Sequence, residues 1–405
     1  MKKKKVIAFL IKYKFTNTEF VSYNFSNLYK IFNVKFIDIS RITIKKKFLI
    51  LRSKIDKKKI HYNKIINTSD LKKSLLGVDL VFDFHCALLA NKRINNFFNK
   101  EILKKAKVLG RIGGAIPNFY NHSIVKKFYF LLIFILNIYR YKKFSFLIKS
   151  IKKLFIIYFQ SLNKKYKNYN FSYDYVLVDS DLSEKIADRY FINSKKIHAH
   201  YTDYEKHLLR SNNEKYQNNY VVFLDEAVFN HPDNYELQSD NQFNLKRNID
   251  LYFRDLNNFF NNFEKFTNCK IVVAAHPRGF VNFDYVNYFR GRRIVRNNTY
   301  EVIKKSKLVF AHSSTSIAYA VILKKPIIFL NSNLMFDIGY FTKILSFSIE
   351  TGGKMIDISN KNNINYNNLF IQDFSLYKNY FSKFIKSSKS KNENLWNIVG
   401  SMINN

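Results

Sequence analysis

Short apolar runs alternate with longer amphipathic stretches over most of this 405-residue chain. In the first half, Val6–Ile11, Val34–Ile39, Phe48–Leu51, Val78–Phe84 and Lys107–Ile112 have strand length, and the segments between them read as helices or loops. Strands alternating with helical patterns predict a parallel sheet covered on both faces. "YDYVLVDSDLSEKIA", Tyr173–Ala187, continues as strand then helix, with Asp181 or Ser183 as the expected cap. A polar, Asn-rich stretch at Ser211–Asn219 then interrupts the pattern, which restarts beyond it. Strands are expected at Tyr220–Leu224, Lys270–Ala275, Leu308–Ala311 and Pro326–Leu330. Helices are expected at Asp240–Phe266, Thr299–Ser306 (capped by Thr299), Ser316–Leu323, Phe374–Ile385 and Glu393–Ile403. The chain is too long for one ordinary core. The reading is an α/β protein with an N-terminal domain at 1–210, a second αβ domain at 219–380 and a helical tail at 381–405.

One stretch breaks the pattern. Residues 126–165 mix aromatic, aliphatic and lysine side chains without proline or glycine. Two readings fit this insert: a pair of core helices, or a basic-aromatic surface lying on an anionic membrane. Its uninterrupted apolar run, Phe128–Leu136, is too short to span a bilayer. The six-residue run after the N-terminal lysines is too short for a signal peptide and suits a first strand.

Composition changes the picture only partly. The formal net charge is +38, which invites an anionic partner. The lysines are spread along the chain, however, and abundant Lys, Asn, Ile, Phe and Tyr with scarce Gly and Pro fit an AT-rich coding bias. No helix-turn-helix, zinc-finger or RNP pattern points to a specific nucleic acid. Cys86 and Cys269 stand far apart, without CxxC partners, and read as reduced core residues of a cytoplasmic protein.

Candidate chemistry gathers at strand ends, where doubly wound sheets bind ligands. "AAHPRGF" sets His276 at the end of a strand. Pro277 fixes its own φ and biases His276 toward an extended conformation, and Arg278 adds a permanent cation. "FAHSSTS" repeats the arrangement with His312, Ser313, Ser314, Thr315 and Ser316 leading into a helix, an expected anion pocket facing His276 on the next strand end. "FRGRR" and Arg296 concentrate arginine in a chain that prefers lysine, and Arg292 is assigned to donor binding. "LDEAVFNHPD" places Asp225 and Glu226 at another strand end, as acid–base candidates, followed by His231-Pro232-Asp233. In the first half, "GRIGGA" with Gly113 and Gly114, and "DFHC" with Asp83 and His85, are acceptor-side candidates. Three of the four prolines, Pro232, Pro277 and Pro326, fall in these strand-end segments. No cluster has the spacing of a metal site.

The order strand–His-Pro, then strand–Ser-Ser–helix, over about Tyr220–Leu330 resembles bacterial surface-polysaccharide glycosyltransferases of the GT-B type. In particular it is similar to sialyltransferases, polysialyltransferases and capsule Kdo transferases. "FLDE", "AAHPRG", "FRGRR", "NNTYEVIKKS" and "AHSSTSIAYAVILKKPIIF" also look like a family of uncharacterised surface-carbohydrate biosynthesis proteins. The resemblance implies two Rossmann-like domains facing across a cleft, and no bound metal or other cofactor. It also implies a nucleotide-sugar donor, plausibly CMP-linked, held by His276, Pro277, Ser313 and Ser314, and a glycan or lipid-linked glycan acceptor. The acidic motif those transferases carry in the N-terminal domain has no clear counterpart in this chain. Teichoic-acid-type polymerases, which use CDP-linked polyol phosphates, resemble the same layout. A non-enzymatic basic protein that binds membrane or nucleic acid is a third reading. The expected location is cytoplasmic, with contact to the inner face of the membrane.

Overall fold

The computed structural model describes residues 4–43, 60–84, 106–113, 116–118, 121–140, 142, 173–210, 219–231, 245–280, 282–360 and 364–404. Its strands form two all-parallel sheets. The first contains β1 (Val6–Ile11), β2 (Asn33–Asp38), β3 (Asn63–Lys64), β4 (Leu80–Asp83), β5 (Lys107–Ile112), β6 (Tyr175–Val178) and β7 (Lys195–His198), in the order β3-β2-β1-β4-β5-β6-β7. The second contains β8 (Tyr220–Leu224), β9 (Lys270–Ala274), β10 (Arg293–Val295), β11 (Val309–Ala311), β12 (Ile327–Asn331) and β13 (Lys354–Asp357), in the order β10-β9-β8-β11-β12-β13. Each sheet grows outward from its first strand, then returns to that strand's other side. The reversal points lie between β1 and β4 and between β8 and β11, and crevices for ligands open at the carboxyl ends of such pairs.

The central strands are buried nearly throughout because apolar residues occupy both faces. Helix Leu245–Thr267 lays Tyr252, Leu256, Phe259, Phe260 and Phe263 on the second sheet at helical spacing. The strands absent from the sequence reading, β3, β7, β10 and β13, are short, polar and near or at sheet edges. Edge strands need few apolar residues and so leave little pattern. Phe48–Leu51 lies outside the described residues. Two caps differ from expectation. Ser180, not Asp181 or Ser183, caps helix Asp181–Tyr190 by accepting the Ser183 N–H, and Ser183 bonds back as in a capping box. Asn298 precedes helix Thr299–Lys305, so Thr299 is its first residue rather than its cap.

Two segments tie the sheets together. Helix Leu395–Asn404 returns to the first sheet, where Trp396 is fully buried against Phe9, Phe25 and Phe82 and donates to the Tyr23 carbonyl at 2.6 Å. It is therefore a core element of the first layer, not a tail. Helix Ile124–Arg140, the described part of the basic-aromatic insert, buries Phe130, Phe134 and Ile138 against Phe336, Phe341, Leu345 and Ile349 of the second half. Beside this contact Glu350 is fully buried and accepts from His122 (2.8 Å), Lys126 (2.7 Å) and Lys383 (2.6 Å). Burial alone would raise its pKa, but these three partners together carry it down to about 2.

Candidate functional site at the carboxyl edge of the second sheet

Strand register decides which residues meet. Ala274 on β9, Leu224 on β8 and Ala311 on β11 are aligned. Two residues beyond each stand His276, Glu226 and Ser313, on three successive strand ends that straddle the β8/β11 reversal. The sequence reading set His276 and Ser313 on neighbouring strands. The sheet order corrects this, because β8 lies between β9 and β11. Their backbones are two strand spacings apart, about 9.6 Å, and Glu226 fills the gap.

Glu226 accepts both the backbone N–H of Ser313 and its hydroxyl, the latter at 2.9 Å. The donors that the sequence reading reserves for a phosphate oxygen are therefore taken up by a carboxylate within the chain. Burial raises the Glu226 pKa to about 7, against the opposing pull of the two Ser313 bonds. A carboxyl that titrates near neutrality can give or take a proton at cellular pH.

His276 is half-buried, and its Nδ1 accepts the Arg278 N–H at 3.2 Å. The proton of the neutral ring therefore sits on Nε2, free to donate to a ligand oxygen. Burial, then His231 and Arg278, push its pKa well down and favour this neutral form. The His231 ring lies edge-on, with centroids 4.8 Å apart. Arg278 reaches across to the first half, 4.0 Å from Glu19 and over the Tyr13 ring, so the His-Pro-Arg loop lies where the two halves meet.

Asp225, expected as an acid–base group, spends both carboxylate oxygens on bonds within the chain. It is buried, with Oδ1 accepting the Ala227 N–H (3.0 Å) and Oδ2 the Tyr285 hydroxyl (2.8 Å). It also accepts the backbone N–H of His276, which steadies the loop. Burial raises its pKa. Arg296, named in the arginine-dense segment without a role, lies over Tyr285 at 4.7 Å and acts on Asp225 electrostatically. Asn230 also bonds Tyr285, and Gly279 packs so close to both that a Cβ would stand 3.1 Å from each.

Several assignments are corrected. His312 is fully buried. Its Nδ1 donates to the Leu330 carbonyl (2.6 Å) and its Nε2 accepts from Tyr252 (2.8 Å), so it ties strands rather than meeting a ligand. Burial holds its pKa near 4, the neutral state this pairing needs. Arg292 precedes β10 at the amino edge of the sheet, opposite the site, and bonds Asn257, Asn261 and Glu264. Ser314 is buried and accepts the Ser316 N–H at 3.3 Å, while Thr315 is exposed. Ser316 precedes helix Ile317–Ile322 without a side-chain cap bond. Asp83 is wholly buried and accepts from Tyr173 (2.8 Å), which removes it from an acceptor role. Gly113 passes over the buried Arg111–Asp179 pair, where a Cβ would lie 2.1 Å from Asp179 Oδ2. His85, Gly114 and Pro232 lie outside the described residues.

Sequence reasoning missed the Arg111–Asp179 pair, made at 2.6 Å where β5 and β6 end. The guanidinium lies between the Tyr23 and Tyr201 rings. Asp179 Oδ1 is buried without a hydrogen bond. "VDSD" after an apolar run was the available signal.

No protein-family model matches the chain, and no curated protein does. Solved structures do. The wall teichoic acid polymerase TagF aligns over 99% of this chain and 88% of its own, with TM-score 0.51 and 11% identity. UDP-GlcNAc 2-epimerase of Methanocaldococcus jannaschii covers all of both chains with TM-score 0.45 and 12% identity. MurG of Acinetobacter baumannii covers 99% of both with TM-score 0.43 and 9% identity. With two doubly wound parallel sheets and the TagF alignment, the chain has the GT-B fold. Identities this low establish architecture and nothing finer.

Proposed function

We propose that this chain is a GT-B glycosyltransferase that moves a sugar from a nucleotide-linked donor, CMP-linked by resemblance, to a surface glycan or lipid-linked glycan. The observation that carries the reading is the aligned trio His276, Glu226 and Ser313 at the reversal point of the second sheet. In this reading the donor phosphate displaces the Glu226 carboxylate and takes the Ser313 N–H and hydroxyl. His276 Nε2–H hydrogen-bonds the departing phosphate oxygen, and Arg278 supplies positive charge as negative charge develops there. Glu226, released from Ser313, then holds or passes a proton at the mouth of the cleft.

A second reading has one specific observation behind it, the TagF alignment. A polyol phosphate on a CDP-linked donor would use the same grip. Calorimetric titration with CMP, CDP, UDP and GDP separates the cases, with His276→Ala and Ser313→Ala as controls. Selective CMP binding weakened by both variants supports sugar transfer, and CDP preference supports phosphopolyol transfer. Equal, purely salt-dependent binding of all four overturns both and leaves a basic binding protein. The mass of the product then reports which group moved.

The acceptor side of the proposal is a membrane. No helix among the described residues is long and apolar enough to cross one. Helix Ile124–Arg140, however, leaves Ile124, Val125, Phe128, Leu132, Leu136 and Tyr139 exposed beside Lys127 and Arg140. Such an apolar stripe flanked by cations suits the interface of an anionic bilayer. Phe128→Asp/Leu132→Asp is expected to abolish co-sedimentation with phosphatidylglycerol vesicles. Unchanged sedimentation would remove the membrane from the proposal.

A further inference from the structure

Three of the four arginines of "FRGRRIVR" are not absorbed by the site at the carboxyl edge. Four of the chain's 14 arginines fall within the seven residues 290–296, and three of them, Arg290, Arg292 and Arg293, face the other end of the sheet. There they line, with Lys270, Asn219 and Asn261, a cavity of about 590 Å³. These four cations meet one carboxylate, Glu264. Lys270 to His276 spans six residues of extended chain, about 20 Å, so this basin is separate from the donor cleft.

The basin is built rather than incidental. Arg292 is fixed along one stripe of helix Leu245–Thr267, donating to Asn257 (2.7 Å), Asn261 (2.5 Å) and Glu264 (2.9 Å), and its guanidinium lies over the Phe260 ring. Its Nε–H is buried and has no acceptor. A buried unpaired donor of a permanent cation is costly, and an arriving acceptor satisfies it. Arg290 adopts a left-handed backbone (φ 50°), followed by Gly291 (φ 72°). A non-glycine residue in that region is strained, and strain of this kind gathers where a side chain must be aimed. The Arg290 and Arg293 guanidinium groups have no carboxylate partner among the described residues.

We propose that this basin binds an oxyanion-bearing ligand, either a phosphate group or the carboxylates of an acidic glycan, at a site separate from the donor cleft. Planar guanidinium groups bind both by paired N–H···O contacts, which explains arginine in a chain that otherwise uses lysine. The proposal stands whether or not the transfer reading does.

The test measures calorimetric binding of inorganic pyrophosphate and, separately, of tetragalacturonate at 150 mM salt. The full chain carries His276→Ala throughout, so the donor cleft is weakened. Arg290→Gly/Arg293→Gln is compared with a charge-matched control, Lys195→Gln/Lys378→Gln. Glycine accepts the left-handed backbone at 290, so the variant removes charge and strain together. The expected result is at least a tenfold loss of affinity in the arginine variant and none in the control. Loss for pyrophosphate alone assigns phosphate, and loss for tetragalacturonate alone assigns a carboxylated glycan. If Arg290→Gly/Arg293→Gln fails to fold, Arg293→Gln alone serves, with a fivefold loss expected. Equal losses in arginine and lysine variants, or no binding of either probe, overturn the proposal.

Discussion

The two sheets share one strand order around their reversal points, yet their carboxyl edges are finished differently. At the second, three aligned strand ends carry a neutral histidine, a carboxyl titrating near 7 and a serine whose donors an oxyanion can claim. At the first, Arg111 and Asp179 are locked together between two tyrosines, and Asp83 is bonded inward to Tyr173. Burial raises the Asp179 pKa and Arg111 opposes it. One edge holds groups that can change partner, and the other holds groups whose partners are fixed. The same topology thus supplies a reactive edge and a rigid one, depending on whether its charges are already paired.

The contrast breaks most visibly at His276. His276→Ala is expected to lower the proposed transfer by about 10²–10⁴-fold while shifting the urea midpoint little, because the residue stands in a loop beyond the strand and is not part of the apolar core. A large shift would make His276 a structural residue. Arg111→Met is expected to do the reverse. It strands a buried carboxylate and costs about 3–5 kcal/mol in urea unfolding, and a smaller loss would mean that Asp179 finds water. Glu350→Gln comes next, at about 3 kcal/mol near neutral pH, since its lysine partners keep some solvent contact. The Glu350 pKa is depressed to about 2, so its stabilisation is present above about 4.5 and lost as pH falls toward 2. The gap between wild type and variant in thermal scans should therefore close across that window. The smallest effect is at Glu226. Its folded pKa is raised, so wild type loses stability as pH rises from about 4.5 through 7. Glu226→Gln should gain about 2 °C in Tm at pH 8 and nothing at pH 4. It should also remove any weakening of nucleotide binding between pH 6 and 8, and a persistent pH dependence would place that titration elsewhere.

Much of the fold was legible because central parallel strands are continuous apolar runs. Val6–Ile11, Lys107–Ile112 and Tyr220–Leu224 fall where the pattern puts them. β10 and β13 escaped notice, since "RIV" and "KMID" carry too little apolar signal. Within the site, proline marked the strand end at His276, but no local pattern reveals that β8 lies between β9 and β11. The Glu226–Ser313 contact is a fact of sheet order. Arg292 was misassigned for a related reason: arginine density does not say which end of a strand it decorates. His312 looked like a ligand because burial, which disarms it, is invisible in one dimension.

The return of Leu395–Asn404 to the first sheet has a consequence during synthesis. Phe9, Phe25 and Phe82 are made early, but Trp396, which covers them, leaves the ribosome roughly 300 residues after Phe82. At about 5–20 residues per second, that aromatic face waits roughly 15–60 s for its lid. The nascent first half is thus a natural client for chaperones that shield exposed aromatic surface.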